Sequence, residues 1–110
     1  MARTALTVQD IVKTGLSPSY TAANADGHSV ANVGDMLVHV KNGGAGSITV
    51  TCQTPAKQDG MDIAELQVAI PAGEERMIGS FPTRTFNQSD GTVYVDFSGV
   101  SSVTVAALRL

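Results

Sequence analysis

The chain has 110 residues, of which 43% are hydrophobic and only 15% are charged, and its formal net charge is −3. This length is typical of a single domain, and the high apolar fraction excludes an intrinsically disordered chain. The 7 basic residues form no cluster, which argues against nucleic-acid binding because that function requires several cations on one face.

The N-terminus and the cysteine content indicate where the protein is made. Cys52 is the only cysteine, so no disulfide forms within the chain and synthesis in a reducing compartment is expected. No long apolar run follows Arg3, so no signal peptide is predicted. No apolar stretch reaches the length that spans a bilayer. We therefore expect a soluble protein that is made in a cytoplasm and has no membrane partner.

The first segment, residues 1–32, differs from the rest of the chain. Thr7 and Asp10 have the spacing of a helix start, but Gly15 would end any such helix early. The following stretch, 16–32, is rich in Ser, Ala, Asn and Gly. We interpret the segment as a loop-like arm or a weak edge strand. It is either a flexible terminus or an arm that becomes ordered on a partner.

From residue 33 onward, apolar residues recur at every second position between turn-forming segments. Such alternation directs one set of side chains to a core and the other set outward, as in half-buried β-strands. Val, Ile and Thr dominate these runs, as strands prefer. The predicted core sets are Met36, Val38 and Val40; Ile48, Val50 and Cys52; Val93, Val95 and Phe97; and Val103, Val105 and Ala107.

Turn-forming segments rich in Gly, Pro and Ser between these runs predict three β-hairpins. The predicted pairs are 37–41 with 48–53, 66–70 with 76–81, and 92–97 with 103–108. Ile63, Leu66 and Ile70 also fit helical spacing, but Pro71 cuts this run short and favours a strand.

Short strands with frequent turns and no strong helix predict an all-β fold, a β-sandwich or jelly-roll-like domain with an N-terminal arm. The predicted organisation is an arm and loop or edge segment at 1–32, followed by the sandwich at 33–110.

Residue types that perform catalysis or bind metals are present, but they lack the required spacing. His28 and His39 are the only histidines, and alternation directs His39 outward with no group to orient it. Cys52 lies on an apolar strand face, where a buried thiol is unreactive. Glu74 and Glu75 occupy a turn in which both carboxylates are solvated. We predict no enzyme activity, no metal site and no cofactor.

Motifs along nearly the whole chain resemble small structural proteins of tailed bacteriophages. They are turn and strand motifs rather than catalytic signatures. The motifs are GLSPSYTAANADGH (15–28), VHVKNG (38–43), ITV (48–50), IPAGEER (70–76), FNQSDG (86–91) and YVD (94–96).

Among such proteins, the chain is most similar to capsid cement or decoration proteins, which bind the outer face of an assembled shell and clamp neighbouring major capsid subunits. The resemblance implies a small β-rich domain on the capsid exterior of a virion, made in the host cytoplasm. It also implies two partners, the major capsid protein and further copies of the chain itself in a dimer or trimer.

Apolar and aromatic residues provide the candidate partner-binding positions. They are Leu6, Val8, Ile11, Val12 and Leu16 as anchors in the arm, with Tyr20 and Tyr94 as aromatic contacts. Apolar side chains on a weakly structured terminus need a dry surface, which is either a partner or the domain's own sandwich. Aromatic residues carry much of the energy of interfaces, and core packing is their alternative role.

Other functions stay open at this point. A head–tail joining or tail component is another structural role in the virion. A receptor- or glycan-binding module on the particle is a third possibility, because β-sandwiches often carry such sites. The absence of Trp and the low aromatic content of 5% argue against a sugar-binding platform.

Overall fold

The computed structural model describes residues 3–109, which form an all-β domain with one short helix, α1 (Thr83–Phe86). Residues 1, 2 and 110 of the predicted segments lie outside the described residues. The described strands are β1 (Thr4–Leu6), β2 (Val8–Asp10), β3 (Thr21–Ala22), β4 (His28–Ala31), β5 (Met36–Asn42), β6 (Ile48–Cys52), β7 (Lys57–Gln58), β8 (Met61–Asp62), β9 (Leu66–Ile70), β10 (Glu75–Gly79), β11 (Thr92–Phe97) and β12 (Val103–Arg109).

Two sheets enclose the core. Sheet A has the strand order β1-β4-β11-β6-β9, and sheet B has the order β10-β5-β12-β2, with β3 also pairing with β12. Strands β7 and β8 form a separate small hairpin. Most pairs are antiparallel, but β1 with β4 and β2 with β12 are parallel. The predicted all-β sandwich is therefore confirmed.

The alternating sets predicted as core faces lie between the two sheets. All of them are buried except Phe97, which is half-buried and packs against the cluster. Phe81, which the alternation does not include, is fully buried and contacts Phe86 edge-on, with ring centroids 5.2 Å apart. The sequence pattern thus located the core correctly, and one aromatic side chain from a connecting segment completes it.

The three predicted hairpins are wrong, although their strands exist. In each case the two strands belong to different sheets: β5 and β6, β9 and β10, and β11 and β12. Each connection therefore passes from one sheet to the other instead of turning back within one sheet. Alternation gives the buried face of a strand but not its neighbour, and strands from both sheets direct apolar side chains toward the same core.

Asn42 stabilises two of these crossings. Its buried side chain donates hydrogen bonds from Nδ2 to the carbonyls of Gly46 (2.9 Å) and Ile70 (3.0 Å). Its main chain accepts from the amide of Gly73 (2.8 Å) and donates to the carbonyl of Glu74 (2.9 Å). With Gly73 at φ +78°, this pattern is a G1 β-bulge at the start of β10.

Residues 3–32 contribute strands to both sheets. The chain passes from β1 in sheet A to β2 in sheet B through Thr7 alone, so this segment closes one side of the sandwich. No helix follows Thr7. The segment thus forms the edge strands β1 and β2, one of the two alternatives, together with the internal strand β4 of sheet A. Its use as an arm on a partner stays a prediction. The described helix has four residues, and none in the described chain could cross a membrane.

Candidate interaction surfaces

Residues 11–18, which we call the N-terminal loop, leave sheet B between β2 and β3. The side-chain amide of Gln9 closes its base, donating to the carbonyl of Ser19 (2.8 Å) and accepting from the Ser19 amide (2.9 Å). The amide of Ile11 donates to the carbonyl of Arg109 (2.8 Å). Ile11 and Val12 are 41% and 49% exposed. The loop therefore presents an apolar pair from a fixed base.

The five apolar anchors predicted in the arm have different surroundings. Leu6 is buried in the core, and Val8 packs against that core. Leu16 is half-buried. Ile11 and Val12 are the exposed members of the set. Leu6 and Val8 thus contact the domain's own sandwich, and a role in partner binding stays a prediction for all five.

Tyr20 lies on the outer face of sheet B, where it contacts His39. The Tyr20 hydroxyl is 2.6 Å from Nδ1 of His39, and Nε2 of the same ring is 2.8 Å from Oε1 of Glu75. Because a carboxylate only accepts, Nε2 donates to Glu75, and Nδ1 is hydrogen-bonded to the Tyr20 hydroxyl. The Lys41 ammonium lies 4.0 Å from the Tyr20 ring centroid. These contacts explain why an outward-facing histidine is buried.

Tyr94 lies on the outer face of sheet A, covered by the Arg3 guanidinium. The guanidinium carbon is 4.1 Å from the ring centroid, and Arg3 Nη1 is 2.5 Å from Oδ1 of Asp96. Gln53 donates to the other carboxylate oxygen of Asp96 (2.7 Å). One face of the Tyr94 ring is therefore occupied by a residue of the same chain.

The other residues of a type that could act in catalysis or metal binding are enclosed in the fold. His28 donates from Nδ1 to the carbonyl of Thr4 (3.0 Å) and accepts at Nε2 from the amide of Asn24 (3.1 Å), so its ring is neutral. Burial lowers the pKa of His28. Burial, with a smaller effect of Asp96, raises the pKa of the Cys52 thiol to about 12. Within residues 3–109, no group of three His, Cys, Asp or Glu is placed to hold a metal.

The side of the sandwich formed by β9 and β10 is a further apolar surface, which sequence reasoning missed. Met77 on β10 is 66% exposed and Leu66 on β9 is 36% exposed. A shallow groove of about 400 Å³ beside Met77 is lined by 34–37 and 77–80. Alternation showed neither residue as exposed, because it does not identify which strands are the edges of a sheet.

No protein-family model matches the chain, and no curated protein or solved structure matches it. The class of protein that the structure defines is an all-β sandwich. Its two apolar surfaces lie at opposite edges of sheet B.

Proposed function

We propose that this chain is a structural protein of a phage virion, a decoration protein that binds the outer face of the assembled capsid and joins neighbouring major capsid subunits. The sequence resemblance supports this role. The structural observation that carries it is the exposed apolar pair Ile11 and Val12 in the N-terminal loop.

The loop is suited to docking because its ends are already fixed. Gln9 and Ser19 hold its base, and Ile11 is hydrogen-bonded to Arg109 at the end of β12. A segment that is ordered before binding loses less conformational entropy on association. Transfer of Ile11 and Val12 into a dry crevice between capsid subunits then supplies a favourable apolar contribution.

The low charge of the chain supports the same role. Only 15% of the residues are charged, so a large part of the exterior consists of small polar side chains that are less costly to desolvate than Lys or Glu. A protein that binds the assembled lattice and not the free subunit stabilises the lattice by mass action, by about 2.7 kcal/mol per site when its free concentration is roughly 100 times Kd.

The test uses preassembled empty capsids of a phage that encodes the chain. We expect the protein to co-sediment with these capsids and to raise their heat resistance. The double substitution Ile11→Ser and Val12→Ser weakens binding at least tenfold. The matched control, Met61→Ser, removes an apolar side chain that is 68% exposed on β8 and leaves binding unchanged.

Far-UV circular dichroism establishes that both variants are folded. Equal binding by the double variant and the wild type would contradict the role of the loop. Equal binding to dissociated capsid subunits would contradict the decoration function itself. Sixfold or twelvefold rings of the isolated protein would favour a head–tail joining role, and binding on a glycan array would favour a receptor-binding module.

A further inference from the structure

Strand β10 is an edge of sheet B with no partner on its outer side among residues 3–109. It pairs with β5 on its inner side only. Strand β9 is the corresponding edge of sheet A, and the short crossing from β9 to β10 places both edges on one side of the sandwich. The opposite side differs, because the continuous segment β1-Thr7-β2 closes it.

The bulge that precedes β10 determines which backbone groups point outward. The amide of Asn42 donates to the carbonyl of Glu74. In an antiparallel ladder, hydrogen-bonded pairs alternate with non-hydrogen-bonded pairs. The second and fourth residues of β10 therefore bond to β5. The amides and carbonyls of Glu75, Met77 and Gly79 point away from β5 and lack a partner in the ladder, although the Glu75 carbonyl accepts from Nη1 of Arg76 (2.9 Å).

This edge carries part of the protection of natural edge strands, because two of its five residues are charged and Arg76 lies on the same face of β10 as the buried Ile78. Prolines, internal bulges or inward-pointing charges usually prevent pairing with another chain. β10 contains no proline, and its central residue, Met77, is 66% exposed. Its two charged residues already have partners in the same chain: Glu75 accepts from His39 (2.8 Å), and Arg76 forms an ion pair with Glu74 (2.8 Å).

We propose that β10 is a self-association edge, on which two copies of this chain pair antiparallel about a two-fold axis at Met77. In this register Met77 faces Met77 of the second copy, Glu75 faces Gly79, and Arg76 faces Ile78. The outward amides and carbonyls of Glu75, Met77 and Gly79 then face the corresponding groups of the second copy. The two copies of sheet B become one continuous sheet.

The charges of β10 select this register. A two-fold axis perpendicular to the sheet keeps both outer faces on the same side. Moving the axis to Arg76 or Glu75 places like charges directly opposite each other, which is destabilising. Moving it to Ile78 leaves Glu75 opposite Phe81, beyond the end of the strand. The Met77 register pairs all of β10 with no like charges facing.

The same axis brings the two β9 edges toward each other, because β9 and β10 lie on one side of the sandwich. Leu66 is 36% exposed there and Val68 is half-buried. A two-layer contact is better suited to reach the ~1,600 Å² of a stable interface than a single strand pair. This inference does not rest on the proposed function, since the N-terminal loop leaves sheet B at the opposite edge.

The test measures the molar mass of the full chain by analytical ultracentrifugation over a range of concentrations. We expect a monomer–dimer equilibrium for the wild type. Met77→Lys places two ammonium groups together at the axis and weakens the dimer at least tenfold. Met61→Lys, a matched change at a residue that is 68% exposed on β8, leaves the dimer unchanged.

A second measurement separates loss of pairing from loss of folding. Met77→Glu also weakens the dimer, and an equimolar mixture of Met77→Lys and Met77→Glu restores a heterodimer, which misfolded chains would not form. The proposal is overturned by a wild type that stays monomeric at high micromolar concentration, by a trimer, by a dimer that Met77→Lys leaves intact, or by a mixture without restored pairing.

Discussion

Asn42 is a buried polar residue whose importance the sequence did not reveal. It occupies the end of a strand that alternates apolar and polar residues, and its position before two glycines indicated a turn. In the structure its side chain and main chain hold both adjacent crossings between the sheets. The local sequence contains no sign of these contacts, because Ile70, Gly73 and Glu74 lie far away along the chain.

We predict that Asn42→Ala lowers the free energy of unfolding by about 2 kcal/mol, because the substitution removes two side-chain hydrogen bonds, one of them to the buried carbonyl of Ile70. Urea unfolding measures the change. Asn24→Ala is the comparison. The Asn24 side chain also makes two hydrogen bonds, to Thr4 and from the amide of Asp26, but the residue is only half-buried, so its loss is expected to be smaller. Equal losses for both variants would contradict the role assigned to Asn42.

His28 makes the stability of the domain depend on pH. Burial holds the pKa of His28 below the 6.5 of an unperturbed histidine, and the nearby Arg3 charge acts in the same direction. The unfolded chain therefore binds the proton more readily than the folded chain. The stabilising contribution is fully present above pH 6.5 and is lost as the pH falls through the lower folded value.

We expect the free energy of unfolding of the wild type to decrease between pH 7.5 and pH 5. His28→Gln removes the imidazole and decreases the dependence on pH in this interval, although it also lowers stability at pH 7.5. Urea unfolding at both pH values gives the comparison. An identical pH dependence in the variant would show that other groups are responsible.

At the level of elements, alternation predicted the strands but not their connections. The core sets from β5, β6, β11 and β12 are buried as expected. The hairpins failed because a short segment rich in glycine or serine can either reverse within one sheet or cross the ~10 Å between two sheets. The choice depends on which neighbour covers the apolar face, and that neighbour is distant in sequence.

The bulge at Gly73 gives a test at this scale. Gly73 has φ +78°, and a Cβ at this position would meet no atom within 4 Å. The cost of Gly73→Val is therefore conformational, about 1–2 kcal/mol. Gly46 also has open space but needs no positive φ, so Gly46→Ala is the control and is expected to be nearly neutral. Thermal unfolding measures both, and equal effects would contradict the bulge as the cause.

At the level of the whole molecule, the two candidate surfaces lie at opposite edges of sheet B. The sequence predicted Ile11 and Val12 as partner-binding residues, because apolar side chains in a weakly structured segment need a dry surface to contact. It did not predict Met77 as a binding residue, because Met77 lies within a predicted strand like any other strand residue. A dimer formed through β10 would carry its two N-terminal loops at its far ends. One dimer could then contact two capsid sites and gain avidity.

The position of β12 has a consequence for biosynthesis. Strand β12 lies at the centre of sheet B, between β5 on one side and β2 with β3 on the other. Sheet B therefore lacks its central strand until residues 103–109 have left the ribosome, however early the other strands are made. Until then β2 and β5 have no common neighbour, and folding waits for contacts between distant parts of the chain, which slow the process. Nascent chains of this protein are thus exposed to chaperones and proteases until β12 has emerged.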